Sequence, residues 1–163
     1  MVKSKFRWLA FVPVLITAAI TSGLVGLVYI SFDPAVASVL PIFLIAILIA
    51  IFVLLWLIRG EARTKIIVVE MNFDNLVIRR YYGLSAPVTF YYGDLSGFTI
   101  SILPASNTAY EYLYIKQGDK NIGKLSEFYH RNYAELKTEL RSRIKDLGYV
   151  DFSYNKEFKE IFI

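Results

Sequence analysis

Two stretches decide how this chain reads: WLAFVPVLITAAITSGLVGLVYI at residues 8–30 and AVASVLPIFLIAILIAIFVLLWLI at residues 35–58. Neither contains Asp, Glu, Lys, Arg or His. A helix needs roughly 20 apolar residues to cross a ~30 Å hydrocarbon layer, and both stretches exceed that. Only Ser31, Phe32, Asp33 and Pro34 separate them, so a membrane hairpin is expected over residues 1–60. Everything after Arg59 has the mixed composition of a water-soluble domain.

The charges around these stretches set a direction. The chain carries a formal net charge of +4, which would suit a nucleic-acid module if it formed a basic stripe on the soluble part. Instead Lys3, Lys5 and Arg7 precede the first span, and Arg59, Arg63 and Lys65 follow the second. The connecting turn holds only Asp33. By the positive-inside rule both termini and the soluble domain belong on the cytoplasmic side of an inner membrane, with the turn outside. Nucleic acid is not an expected partner. A cleaved leader is the competing reading, since Ala35-Val36-Ala37 has the small-x-small form of a cleavage site. The first apolar run is nevertheless longer than a signal core of about 7–15 residues.

Small residues recur inside the spans at Ala18, Ser22 and Gly26, and at Ala46 and Ala50. Four-residue spacing places them on one helix face, where a second helix approaches closely. Packing of the two arms is the first reading, and a homodimer seam is the alternative. Polar side chains are confined to Thr17, Thr21, Ser22 and Ser38, which does not suit a transporter or proton relay, whose sites need ionisable groups or broken helices. Trp8 and Trp56 fall where interfacial aromatics anchor.

From residue 64 the pattern turns to short strands. Residues 65–71 and 76–82 flank the turn Asn72-Phe73-Asp74-Asn75 and form an expected hairpin. Residues 87–92 and 98–103 follow. Residues 110–116 and 121–125 flank the turn Gln117-Gly118-Asp119-Lys120, and Pro104–Thr108 reads as a loop. Asn132-Tyr133-Ala134-Glu135 has capping-box spacing. Tyr133, Leu136, Leu140, Ile144 and Leu147 then recur at helical steps, with Gly148 as the stop. Several strands followed by one amphipathic helix make an α+β pattern.

The order of these strands, Asp94-Leu95-Ser96-Gly97-Phe98, the 110–125 hairpin and Asn132 at the helix start together resemble the bacterial PH-like (pleckstrin-homology-like) domain family, which often follows two transmembrane helices. The resemblance implies that residues 61–148 form a bent antiparallel β-sandwich or open barrel capped by a C-terminal amphipathic helix. Residues 149–163 are then an extension that packs on the domain or the membrane. No single activity follows from such a fold.

Chemistry is sparse. His130 is the only histidine and there is no cysteine, so thiolate and multi-histidine metal sites are excluded, and no nucleophile elbow surrounds any serine. No phosphate-cradling glycine motif occurs. The expected protein is non-enzymatic and without a cofactor. Lipid-binding eukaryotic PH domains place a basic residue on the first strand and a Lys/Arg-x-Arg pair on the second. Lys65 and the adjacent Arg79 and Arg80 are the nearest match, and adjacent strand residues point to opposite faces.

The one compositional excess is tyrosine. Tyr110, Tyr112 and Tyr114 alternate with Leu113 and Ile115, giving one aromatic sheet face that either packs in the fold or meets a partner. The expected function is a membrane-tethered interaction module with the bilayer on one side. Its partner is another membrane or membrane-proximal protein, or a second copy. A headgroup-binding domain is the alternative, and a membrane-surface enzyme the least supported reading.

Overall fold

The computed structural model describes residues 1–31, 40–104 and 108–160. The Ala35–Ala37 cleavage reading, most of the 31–34 turn, the centre of the 104–108 loop and the terminal Ile161-Phe162-Ile163 therefore lie outside the described residues.

Two helices are long and apolar enough to cross a membrane, Trp8–Ser31 and Pro41–Ala62, and almost none of the most apolar window of either is buried. The core helix of a soluble protein would be mostly buried. Here Leu15, Val25, Leu48 and Ile49 project outward over both helices, an extent of apolar surface that water does not tolerate. Each is built in two parts. A 3-10 turn at Trp8–Phe11 leads into α1 (Val12–Ser31), and α2 (Leu40–Leu55) runs on into a π-helical segment, Trp56–Ala62. The polar side chains of α1 bond within their own helix: Thr17 Oγ donates to the Pro13 carbonyl at 2.7 Å and Thr21 Oγ to that of Thr17 at 2.8 Å. In lipid such groups must be satisfied internally.

The two helices touch. Half-buried positions of α1 recur at Thr17, Ile20, Leu24 and Leu27, and those of α2 at Phe43, Ala46, Ile47 and Ala50. Ala46, Ala50 and Gly26 lie on partly covered positions, whereas Ala18 and Ser22 are exposed. A Cβ added at Gly26 would meet open space, so no close helix approach depends on it. The partly covered positions recur at three- and four-residue steps and carry both large and small side chains.

After the helices come strands in two four-stranded sheets. The first has the order β1 (Val2–Lys3), β2 (Val68–Met71), β3 (Asn75–Arg79), β4 (Val88–Tyr91), antiparallel throughout. The second is formed by β5 (Gly97–Pro104), β6 (Ala109–Gln117), β7 (Lys120–Ser126) and β8 (Asp146–Tyr149), in the order β7-β6-β5-β8. The expected turns at 72–75 and 117–120 join β2 to β3 and β6 to β7. Val69, Leu76 and Ile78 from the first sheet, with Ile67 just before it, meet Phe98, Ile100, Leu113 and Ile115 from the second in one core, and Leu136 and Leu140 of α3 (Tyr133–Arg141) close it. Fully burying a side chain of this size contributes about 1.5–3 kcal/mol. An α+β layout is thus what these residues build.

Three local readings are corrected. The expected helix ends at Arg141 rather than continuing to Gly148. Leu147 continues the helical spacing but is 41% exposed, because the chain turns and β8 pairs in parallel with β5. Gly97 makes that junction: its φ is +137°, and a Cβ there would run into the Lys145 carbonyl, whose oxygen accepts from Phe98 N–H at 2.9 Å. Second, Asn132 makes no cap bond with its side chain. Its Oδ1 accepts from Lys5 N–H at 2.8 Å and its amide donates to the Lys3 carbonyl and to Glu135, both at 3.0 Å. Third, residues 1–7 are part of the domain. Val2 pairs with Met71 and Lys3 with Glu70, Ser4 exchanges bonds with Val69 at 2.9 Å, and Phe6 bridges to His130.

Candidate functional site

Side chains from the helix ends and from the sheets meet at one junction. The π-helical segment carries Glu61 inward, where Tyr129 Oη donates to it at 2.8 Å and Lys65 Nζ lies 2.6 Å away. Segments of this type frequently occur at functional sites. On the other side of the junction Tyr82 Oη donates to the Ala10 carbonyl at 2.7 Å, and its ring packs against Phe6 and Phe11. Tyr81 and Tyr82 both hold positive φ, 52° and 61°. That backbone costs an L-residue roughly 1–2 kcal/mol, offset here by aromatic packing and the Ala10 bond.

A chain of charges extends from Glu61 across the outer face of the second sheet. Lys65 also meets Glu157 at 3.3 Å, and Lys124 meets the same carboxylate at 2.7 Å. Tyr114 Oη donates to it at 2.9 Å. Lys124 lies over the Tyr114 ring, 4.9 Å from its centre, and Lys65 over that of Tyr112 at 5.5 Å. For Glu157 and Lys65 burial favours the neutral form, but charge pairing prevails. Burial alone would raise the Glu157 pKa, yet Lys124 and Lys65 hold it below the usual carboxylate range. Burial likewise opposes the Lys65 charge, and Glu61 and Glu157 raise its pKa above the ordinary lysine value. Tyr129 is pushed up by burial and by the Glu61 carboxylate, so its hydroxyl stays protonated as the donor.

Glu157 belongs to α4 (Tyr154–Glu160). This short helix and the residues before it cover the tyrosine face. Leu113 and Ile115 point into the core as the alternation requires, and Tyr112 and Tyr114 point the other way but are also buried. Phe152 stacks on Tyr112 with ring centres 6.1 Å apart. Thr99 and Ser101, on the same face of β5, are buried with them. Tyr110 remains partly open and stands edge-on to Phe128.

Beside this covered face runs a cleft of about 540 Å³, walled by Trp56, Tyr110, Tyr112, Phe128, Phe152 and Phe158. The rings make it largely apolar, and Trp56 at the end of the second helical stretch puts one edge at the boundary between helices and domain. Trp56 and Phe158 lie 5.9 Å apart. A cleft of this size and lining suits an apolar or aromatic occupant.

The two adjacent arginines separate as strand geometry demands. Arg79 remains on the first sheet opposite Val68, its charge acting on Glu70. Arg80 turns the other way and lines a second cavity of about 500 Å³ with Arg63, Lys120 and Lys124. Lys65 is not part of that cavity.

His130 is fully buried. Its Nε2 faces the Ile67 carbonyl at 3.0 Å, and Nδ1 faces the Ser126 amide at 3.2 Å. Nδ1 also lies 2.9 Å from the Ser126 carbonyl, so both ring nitrogens bond to backbone and hold the side chain in the structure. Among the described residues no group of three His, Asp or Glu side chains converges to hold a metal ion.

Glu61, Lys124 and Glu157 are the participants that sequence patterns do not single out. The available signals were a carboxylate directly after an apolar span and a lysine between Gly123 and Leu125 inside a strand. Comparison with family models, curated proteins and solved structures finds no match to the chain.

Proposed function

We propose that this protein is a non-enzymatic PH-like module mounted at the cytoplasmic face of a bacterial inner membrane, where its aromatic cleft holds an apolar or aromatic segment of another membrane-proximal protein or of a second copy. The PH-like reading draws support from two packed sheets sharing a core with α3. It also departs from a simple resemblance, since residues before the first helix supply a strand and β8 runs parallel.

One observation carries the functional reading: both ends of the helical pair are built into the same domain. Residues 1–7 pair with β2 and bond to Tyr129 and Asn132, while Glu61 at the exit of the second helix bonds to Tyr129 and Lys65. This favours a hairpin with both ends on one side over a leader removed after export, because removal would strip a strand from the first sheet. A domain held at both points presents the Trp56 cleft at a fixed height above the lipid. Such confinement raises the effective concentration for any partner in the same membrane.

A photo-reactive phenylalanine analogue in place of Tyr154, which is 71% exposed and lines the cleft, tests this in intact membranes. The expected result is a discrete protein adduct that is lost when Tyr110→Ala and Phe128→Ala are combined. Adducts to lipid alone, or a protein adduct indifferent to those changes, would overturn the reading.

A further inference from the structure

The segment that follows β8 is held to the fold through side chains. Val150 N–H donates to the Ile100 carbonyl at 2.8 Å. Past it, the backbone bonds of this segment among the described residues run from Lys156 and Glu157 to Ser153, within the segment itself. Phe152 on Tyr112, Phe158 against Trp56 and the Glu157 pairs carry the attachment.

What it covers is not an apolar core surface. Thr99, Ser101, Tyr112, Tyr114 and Lys124 are buried beneath it. A polar cavity of about 90 Å³ remains between Thr99 and Ser101 on the sheet and Asp151, Ser153 and Lys156 on the segment. Ser101 is 1% exposed, and its Oγ has no hydrogen-bond partner among the described residues. Core faces pack without such room, whereas contact faces between separate bodies keep hydroxyls and space for water.

The charges at this contact are balanced, and they suit release. Lys65 Nζ stands 2.6 Å from Glu61 and 3.3 Å from Glu157, and Lys124 stands 2.7 Å from Glu157. Breaking a buried ion pair is costly when the remaining charge stays buried. Lifting α4 takes Glu157 away and in the same motion opens Lys65 and Lys124 to water, so neither is stranded. The two carboxylates facing Lys65 belong to different parts of the molecule. Glu61 lies on the π-helical end of the second membrane-length helix and Glu157 on α4. An ammonium drawn to Glu61 is held back from hydrogen-bond distance of Glu157.

We propose that residues 150–160 form a displaceable strap over the outer face of the second sheet, and that Glu61 governs its release by competing with Glu157 for Lys65. The strap supplies Phe152, Tyr154 and Phe158 to the wall of the aromatic cleft, so its movement widens or narrows that cleft. The regulatory meaning of this movement rests on the cleft being the partner site. A shift of the helix end that moves Glu61 relative to Lys65 is thereby passed to the cleft wall.

The test uses the full chain in detergent, and the chain has no cysteine of its own. Ser101→Cys reports from beneath the strap and Val69→Cys from the core, each labelled with a small maleimide. When reclosing outpaces labelling, the rate measures the open population. Ser101→Cys is expected to label about tenfold faster than Val69→Cys, because the strap opens locally while the core opens with the whole fold. Glu157→Gln should raise the Ser101→Cys rate about thirtyfold and leave Val69→Cys slow, which shows an intact core. Glu61→Gln should lower the Ser101→Cys rate about threefold, the opposite of what a weakened junction would do. Glu61→Asp, which retracts the carboxylate without removing its charge, should shift the rate the same way. In a Lys65→Gln background both Glu61 changes should lose their effect. Equal rates at the two cysteines overturn the strap. An unchanged or raised rate in the Glu61 variants, or an effect that persists without Lys65, overturns the competition. The measurement contains no partner, so its failure and the failure of the Tyr154 adduct are read separately.

Discussion

His130 shows how one side chain ties separate segments together. Its ring bonds both to Ile67, at the entry to β2, and to Ser126, at the end of β7, and its backbone bridges to Phe6. Burial holds its pKa below the ordinary histidine value of 6.5. The sign follows from linkage: below that value the unfolded chain gains a proton that the folded chain resists. The stabilisation is fully present above the unfolded pKa and is lost as pH falls towards the depressed folded value. His130→Phe keeps a ring but leaves the Ile67 carbonyl unpaired, so a loss of about 2 kcal/mol is expected. Thermal unfolding followed by near-ultraviolet circular dichroism should show wild type weakening as pH falls below the ordinary histidine value of 6.5, with a flatter profile for the variant. An equally steep profile in His130→Phe would remove this histidine as the cause.

At the scale of elements, α4 is the piece whose attachment rests most on charge. Seven residues are too few to form a stable helix alone, so the Glu157 pairs and the Phe158–Trp56 contact must hold it in place. The Glu157 pKa is lowered, so its contribution is present above the unfolded carboxylate value of 4.5 and is lost as pH falls through the folded one. Glu157→Gln should weaken docking of α4 by about 2–3 kcal/mol, because it leaves two lysines short of a counter-charge. In a Trp8→Phe background, Trp56 emission reports the separation of Phe158. The variant at neutral pH should resemble wild type in acid, and cleavage after Lys156 and Lys159 should quicken in both. Identical emission and cleavage in variant and wild type would mean that packing alone holds the helix.

Elements also differ in how visible they were before folding. Leu113 and Ile115 against Tyr112 and Tyr114 announced β6 and its two faces, since alternation is a local signal. The turns at 72–75 and 117–120 were legible for the same reason. β1 was not, because Val2 and Lys3 are too few to show a period and their partners lie at 70 and 71. β8 was concealed by Leu147, which continues the spacing of Leu140 and Ile144 into residues that are no longer helical. The cover over Tyr112 and Tyr114 depends on Lys65, Lys124 and Glu157, three charges that no spacing rule connects. Arg80 and Lys120 stand far apart in sequence, so only the folded sheets bring them to one cavity.

For the whole molecule, the joint between helices and domain is a rigid mount rather than a linker, and that makes orientation testable. The domain contains residues on both sides of the helical pair, so Lys5 and Asp119 must lie on one side of any membrane the pair crosses. The positive-inside rule, applied to the basic residues flanking both helices, makes the cytoplasm the side proposed here. The chain has no cysteine, so single cysteines at Lys5, Asp33 and Asp119 can be read one at a time with a membrane-impermeant maleimide. Asp33→Cys should label in spheroplasts, while Lys5→Cys and Asp119→Cys should label only after lysis. Labelling of Asp33→Cys and Asp119→Cys from the same side would mean that the helices do not cross. Labelling of Lys5→Cys and Asp119→Cys from opposite sides would contradict the pairing of β1 with β2, because a strand cannot reach its neighbour through a bilayer.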